Sequence, residues 1–152
     1  MLESGGISVP FKAQLEALSN IRLLIHMQAG GTPTPLDVEV GSVSLRRPVF
    51  TKVRAGERQA ATVELNNMND PYRSARKVVG RWRIDHIVDT YVRRPNGANM
   101  RIVPDALKRG NFVEVSVTLR THTVVTHKRH GPVVELWMHD VVRLWSAKEA
   151  KV

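Results

Sequence analysis

The sequence predicts an all-β domain of about five strands, with a short helix between the third and fourth strands and an extra helix in front. Three observations carry this expectation. The run LKRGNFVEVSVTLRTH, Leu107 to His122, joins a helix end, a turn glycine and a two-residue period. Val113, Val115, Val117 and Leu119 fall on one face of it, and Phe112, Glu114, Ser116, Thr118 and Arg120 on the other, the pattern of a strand with one buried and one solvated face. A second apolar run, PVVELWMHDVVRLW, follows the turn-like segment His127 to Gly131, which reads as a hairpin. Upstream, short apolar runs alternate with segments rich in turn formers.

The front helix is outlined by Pro10 at a first helical position, then Phe11, Leu15, Leu18, Ile21 and Ile25, and it stops at Gly30-Gly31. Its apolar stripe needs a cover, supplied by the domain, by a second copy, or by another protein. Thr32 to Pro35 is a stiff linker with two prolines. Val38, Val40, Val43 and Leu45 form the first strand, with a bulge or tight curvature at Gly41, and Pro48 limits regular pairing. Gly56 is a turn, Ala61, Val63 and Leu65 alternate as the second strand, and Asn66 to Pro71 is a turn-rich connection. Lys77 to Val88 is read as the third strand, with helix as a competitor because Ile84, Ile87 and Val88 also share a helical face. Pro95-Asn96-Gly97 marks a loop, and Val103 to Arg109 a short helix closed by Gly110. The resulting domain boundaries are an N-terminal extension over 1–36, a β domain over 37–146 and a short tail over 147–152. This order of elements suggests a five-stranded Greek-key barrel of the OB type, with an SH3-like or other small barrel as the structural competitor.

Composition narrows the function classes. Lysine and arginine number 23 against 14 acidic residues, a formal net charge of +9, so an anionic partner is favoured and nucleic acid leads. The chain has no cysteine, which excludes disulfides, thiolate zinc sites and cysteine nucleophiles. No apolar run reaches bilayer length, so no membrane partner is expected. The opening MLESGG lacks the pattern of a secretory signal, and Glu3 and Glu16 count against a transit peptide.

No catalytic constellation stands out. Asp85 and Asp89 lack a nucleophile, phosphate loop or lid nearby and read as ion-paired or solvated carboxylates. His127 and His130 flank a turn without a third ligand at suitable spacing and read as loop histidines. The expectation is a non-enzyme with no cofactor and no metal.

Binding residues follow from the barrel. A single strand of nucleic acid is held by cations for its backbone and flat side chains for its bases, and an OB barrel offers its second and third strands with the flanking loops. On this assignment the first hairpin brings Lys52, Arg54 and Arg58. The third strand and its approach bring Tyr72, Arg73, Arg76, Lys77, Arg81, Trp82 and Arg83. The fourth strand ends at Arg120, and the last hairpin adds Lys128 and Arg129. Trp82 reads either as a stacking platform or as a core residue, with Tyr72 and Phe50 as further platforms. Trp137 and Trp145 read as core or interface, and some arginines between Arg73 and Arg83 are expected to pair with Asp85, Asp89 or Glu64.

Two segments resemble a known family. VGSVSLRRPVFTKVRAGERQAATVELNN, with Val40-Gly41, Pro48, Gly56 and Asn66 or Asn67, is similar to the opening of bacterial and mitochondrial single-stranded DNA-binding proteins. LKRGNFVEVSVTLRTH resembles that family's short helix, glycine and fourth strand, and PVVELWMHDVVRLW its fifth. Trp82, in RWRIDHIV, sits where the family commonly places a base-stacking tryptophan. The likeness runs from Val38 to Leu144. The chain departs from the family at Val117, where a glycine is usual, in the longer segment Asp89 to Met100, in the front helix, and in ending SAKEAKV in place of an acidic tip. The resemblance implies an OB fold, binding of single-stranded DNA or RNA with DNA favoured, a homotetramer, and a mitochondrial or otherwise cytoplasmic location. The alternative reading is a structural subunit of a large ribonucleoprotein such as an organellar ribosome or RNA-processing complex, with protein and rRNA neighbours.

Overall fold

The computed structural model describes residues 2–5, 8–30, 42–54, 63–78, 81–126 and 129–149. In order, its elements are β1 (Leu2–Glu3), α1 (Ser8–Gln28), β2 (Ser42–Val43), β3 (Phe50–Lys52), β4 (Trp82–Ile84), β5 (Asp89–Arg93), β6 (Asn99–Arg101), β7 (Phe112–Thr126) and β8 (Arg129–Trp145). Single 3₁₀ turns occur at Ala75–Lys77 and Pro104–Ala106. Among the described residues the fold is β-rich with one long helix. The chain divides into two compact units, the first made of Met1–Arg46 and Thr118–Trp137, the second of Arg47–Val117 and Met138–Val152.

In the first unit, α1 begins one turn around Pro10, where a missing N–H costs nothing. It ends where Ala29 N–H donates to Ile25 O at 3.0 Å, Gly30 N–H donates to Met27 O at 3.2 Å, and Gly30 turns left-handed at φ 69°. Leu15 and His26 are its buried residues, at 4% and 1% exposure. The inward stripe runs through Phe11, Leu15, Leu18, Arg22, Ile25 and His26, so it matches the expected one except at Ile21 and is widened by two polar residues. Ile21, Leu23, Leu24 and Met27 stay exposed. Neither ring nitrogen of His26 has a hydrogen-bond partner among the described residues. β1 pairs antiparallel with β2, setting Leu2 opposite the buried Val43. Arg46 makes an isolated parallel bridge to Trp137, its N–H donating to Leu136 O at 2.9 Å. Val134 and Leu136 complete this core.

In the second unit, β3 and β4 form an antiparallel ribbon with Phe50 opposite Ile84, Thr51 opposite Arg83 and Lys52 opposite Trp82. β5 turns back into β6 through Gly97, at φ 83°, and also pairs in parallel with β8. The four-stranded sheet has the order β6-β5-β8-β7. Ile84, Val141 and Val142 are buried, as is Thr90, whose hydroxyl donates to Ile102 O at 2.6 Å. The parallel register sets Asp89 opposite Asp140, a like-charge pair that would be unfavourable unless each found its own partner. Arg101 binds Asp89, and the Ser116 hydroxyl donates to Asp140 at 2.9 Å.

Several expectations need correction. No barrel closes among the described residues, because β6 and β7 remain the two edges of an open sheet, whereas a closed barrel has no edge. The expected first strand survives only as Ser42–Val43, residues 38–41 lying outside the described residues. Val63 to Asn66 is irregular, and the strand upstream of it is Phe50–Lys52. The expected third strand, Lys77 to Val88, is a 3₁₀ turn up to Lys77, a three-residue strand at Trp82–Ile84 and an irregular exit. The expected Pro95-Asn96-Gly97 loop is the turn between β5 and β6, two strands not expected from the sequence. The short helix before the fourth strand is one turn, Pro104–Ala106, with Gly110 at φ 85°. The fourth strand matches its two-residue period, with positions 113–119 half-buried at odd numbers and exposed at even ones from 112 to 120.

Candidate nucleic-acid interface

The candidate interface comprises the β3–β4 ribbon and the turn that leads into it. Alternate residues of a strand share a face, so Phe50 and Lys52 on β3 and Trp82 and Ile84 on β4 line the same side of the ribbon. Ile84 anchors the inner end at 1% exposure, and the pair Lys52–Trp82 forms the outer end, with Trp82 38% and Phe50 42% exposed. Val53 N–H donates to Arg81 O at 3.1 Å, which continues the ribbon and brings Arg81 beside Val53 and Arg54.

The approach to β4 is organised by Asp70, buried at 5% exposure. Its carboxylate accepts the backbone N–H groups of Ala75 at 3.2 Å and Arg76 at 3.1 Å, capping the 3₁₀ turn. Arg73 N–H donates to Asp70 O at 3.0 Å, and Arg73 sits at φ 53°, a left-handed conformation that a side chain rarely adopts. Val78 O then accepts the N–H groups of Arg81 and Trp82, each at 3.0 Å. This links the turn carrying Tyr72, Arg73, Arg76 and Lys77 to the ribbon carrying Lys52, Arg54, Arg81, Trp82 and Arg83.

These side chains fall into two groups. Arg76 donates to Leu65 O at 2.9 Å, and Arg83 is bound to Asp85, which also accepts the Thr51 hydroxyl. Hydrogen bonds from Arg83 and then Thr51 hold the Asp85 carboxyl below the usual carboxylate range. Arg54 also has a partner. Lys52, Arg73, Lys77 and Arg81, in contrast, make no side-chain hydrogen bond or ion pair among the described residues. Tyr72 is 71% exposed, and its hydroxyl donates to Asp105, a bond that keeps the phenol protonated above its usual range.

The remaining expected residues lie elsewhere. Arg120 belongs to the first unit, where its guanidinium stacks 4.8 Å from the centroid of Trp137. Arg58 and Lys128 lie outside the described residues, and Arg129 is the first residue of β8. Trp145 is 52% exposed and packs on Phe112, with centroids 5.3 Å apart.

Beside the ribbon, a cavity of about 370 Å³ is lined by Phe50, Ile84, Ile87, Val88, Met138 and Val141 among others. Its polar contributors are already engaged: Asn69 Nδ2 donates to Glu64 O at 3.0 Å, and the Thr90 hydroxyl is held by Ile102 O. The space is apolar and offers no reactive group. Among the described residues, no three metal-ligating side chains gather, and no helix is long and apolar enough to cross a membrane.

The capping role of Asp70 and the ribbon register were not legible in the sequence. Asp70 was readable as a turn former but not as a double backbone acceptor. Phe50 was named as a further platform, but its place beside Ile84 on the ribbon face depends on the register.

No protein-family model matches the chain, and no curated protein and no solved structure matches it.

Proposed function

We propose that this chain is a non-enzymatic binder of single-stranded nucleic acid, DNA favoured, that holds the strand on the β3–β4 ribbon with little preference for sequence. The observation that carries this reading is the cross-strand pair Lys52–Trp82: a cation and a half-exposed indole share one face, with Phe50 behind them. Stacking accepts any base because every base has a π-face, and the neighbouring cations supply phosphate contacts. Lys52, Arg73, Lys77 and Arg81 are available for this role because no carboxylate neutralises them among the described residues. Arg76 and Arg83 build the platform instead. In the same proposal the chain is a diverged relative of the single-stranded DNA-binding proteins it resembles, and an OB-type barrel completed by a second neighbour for the edge strand β7 is the finer architecture.

The test is a titration of the purified chain with fluorescent oligo-dT and oligo-U at low salt. Binding of both with a steep loss on adding salt is expected; no binding to either overturns the reading. The exposed Ile21, Leu23, Leu24 and Met27 of α1 favour one alternative, a fixed subunit in a ribonucleoprotein that covers this face. Comigration of the native protein with a megadalton particle would select that alternative over a free binder.

A further inference from the structure

We propose that His86, His139 and Arg47 form an acid-sensitive latch that fastens the end of the β3–β4 ribbon to β8 while the His86 ring is uncharged, and releases it when that ring takes up a proton. Arg47 lies three residues before β3, and His86 lies two residues after β4. These two flanks meet at the same end of the ribbon, where Asp85 N–H donates to Val49 O at 3.1 Å. Both close on one residue of β8. The His86 and His139 rings pack edge to face, with centroids 5.8 Å apart and planes at 86°. Arg47 Nη1 lies 3.3 Å from His139 Nδ1 and 3.5 Å from Nε2, so the guanidinium bears on the whole imidazole and not on one ring nitrogen.

No acceptor faces His86 Nε2 among the described residues. That atom is shut off from solvent, and none of the described residues bonds it. The charged groups around it are Arg47 before β3, His139 on β8, Asp89 at the start of β5 and Asp85 on its own segment. Asp89 is already bound by Arg101 of β6, and Asp85 by Arg83 and Thr51. An imidazolium at His86 would thus sit half-buried beside Arg47 and a second histidine, and burial first and Arg47 next push its proton affinity below that of a free imidazole, against smaller favourable contributions from the His139 backbone and Asp89.

The sign of the pH effect follows. The charged form is disfavoured in the folded chain, so the unfolded chain takes up the proton first as pH falls through the ordinary histidine value of 6.5. Stability is complete above that value, declines as pH falls towards the lowered folded value, and declines no further from this group below it. The ribbon carries Lys52 and Trp82, so on the function proposed above, release of the latch also weakens the hold on a nucleic-acid strand. That consequence opposes simple charge, since protonating histidines should strengthen phosphate binding by an already basic chain.

The test is thermal unfolding of the full chain between about pH 5 and 8, for wild type, His86→Phe and Arg47→Gln, with oligo-dT affinity measured over the same range. The melting temperature of wild type should fall on acidification, and that of His86→Phe by less than half as much. Arg47→Gln should also flatten the profile. On acidification, His86→Phe should gain affinity for oligo-dT where wild type gains less or loses. Equal melting profiles for wild type and both variants would overturn the latch. Should His86→Phe not fold, NMR titration of the wild-type His86 ring decides: a midpoint below free imidazole supports the latch, and one at or above it overturns the latch. If no oligonucleotide binds at any pH, the function proposal fails, while the melting profiles still decide the latch.

Discussion

Removing Lys52 and Arg81 together should change the salt dependence of oligonucleotide binding more than its sequence preference. Each phosphate contact to a single strand contributes about 0.7 to the slope of log K against log salt. The four cations without side-chain partners among the described residues, Lys52, Arg73, Lys77 and Arg81, together give a slope of about −2.8. Between about 50 and 200 mM salt, that is a loss of about 50-fold in affinity. The double variant Lys52→Gln/Arg81→Gln should retain a slope of about −1.4, and so a loss of about 7-fold. Arg83→Gln is the control, because that guanidinium is already committed to Asp85, and its slope should match wild type. The assay is fluorescence anisotropy with labelled oligo-dT at four or more salt concentrations. An unchanged slope in the double variant, or an equal reduction in Arg83→Gln, would refute the division into binding and platform cations.

Other consequences are accessible to standard measurements. Trp82→Ala should weaken binding to oligo-dT and oligo-dA alike by about 1–3 kcal/mol, roughly 5- to 150-fold; unchanged affinity would remove the indole from the interface. Ile84→Ala, at a site 1% exposed, should cost about 2–5 kcal/mol in urea unfolding. Gly110→Ala places a Cβ 3.1 Å from the Ala147 Cβ at φ 85° and should cost about 1–2 kcal/mol, read as a lower midpoint with an unchanged m-value. The Asp85 carboxylate contributes stability that is present above the ordinary carboxylate range and is lost as pH falls through its lowered value. Asp85→Asn should accordingly shrink the acid end of the stability profile, and an unaltered profile would show that its bonds to Arg83 and Thr51 are energetically silent.

The parts that were legible in the sequence are those whose cause is local. Pro10 and Gly30 mark the ends of α1 because each fixes a backbone angle without help from elsewhere, and the fourth strand was readable because its period lasts long enough to be unambiguous. The apolar stripe of α1 was legible at Phe11, Leu15, Leu18 and Ile25, whereas His26 was not, since it became an inward residue through what covers it rather than through its polarity. β3 and β4 have three residues each, too few for any period, and the register that brings Lys52 opposite Trp82 depends on a partner about 30 residues away. The pairing of Arg83 with Asp85 was anticipated among several choices and follows from a strand's alternation, which puts residues two apart on one face. Arg101, not an arginine of the basic segment, took Asp89, because the β5–β6 turn delivers it there.

The parallel join between β5 and β8 also sets an order of assembly. β5 finds β6 across a turn of about five residues, and β7 and β8 are consecutive strands, so both pairs can form early from neighbours in the chain. Asp89 must reach Asp140 across about 50 residues. A tenfold longer loop costs about 2 kcal/mol more in chain entropy before any contact repays it. The four-stranded sheet is therefore expected to form last along its central seam, from two preassembled halves, and non-local contacts of this kind are the ones that slow folding. Substitutions at Thr90 or Val141 along that seam should slow refolding less than they speed unfolding, the kinetic mark of a contact made after the rate-limiting barrier.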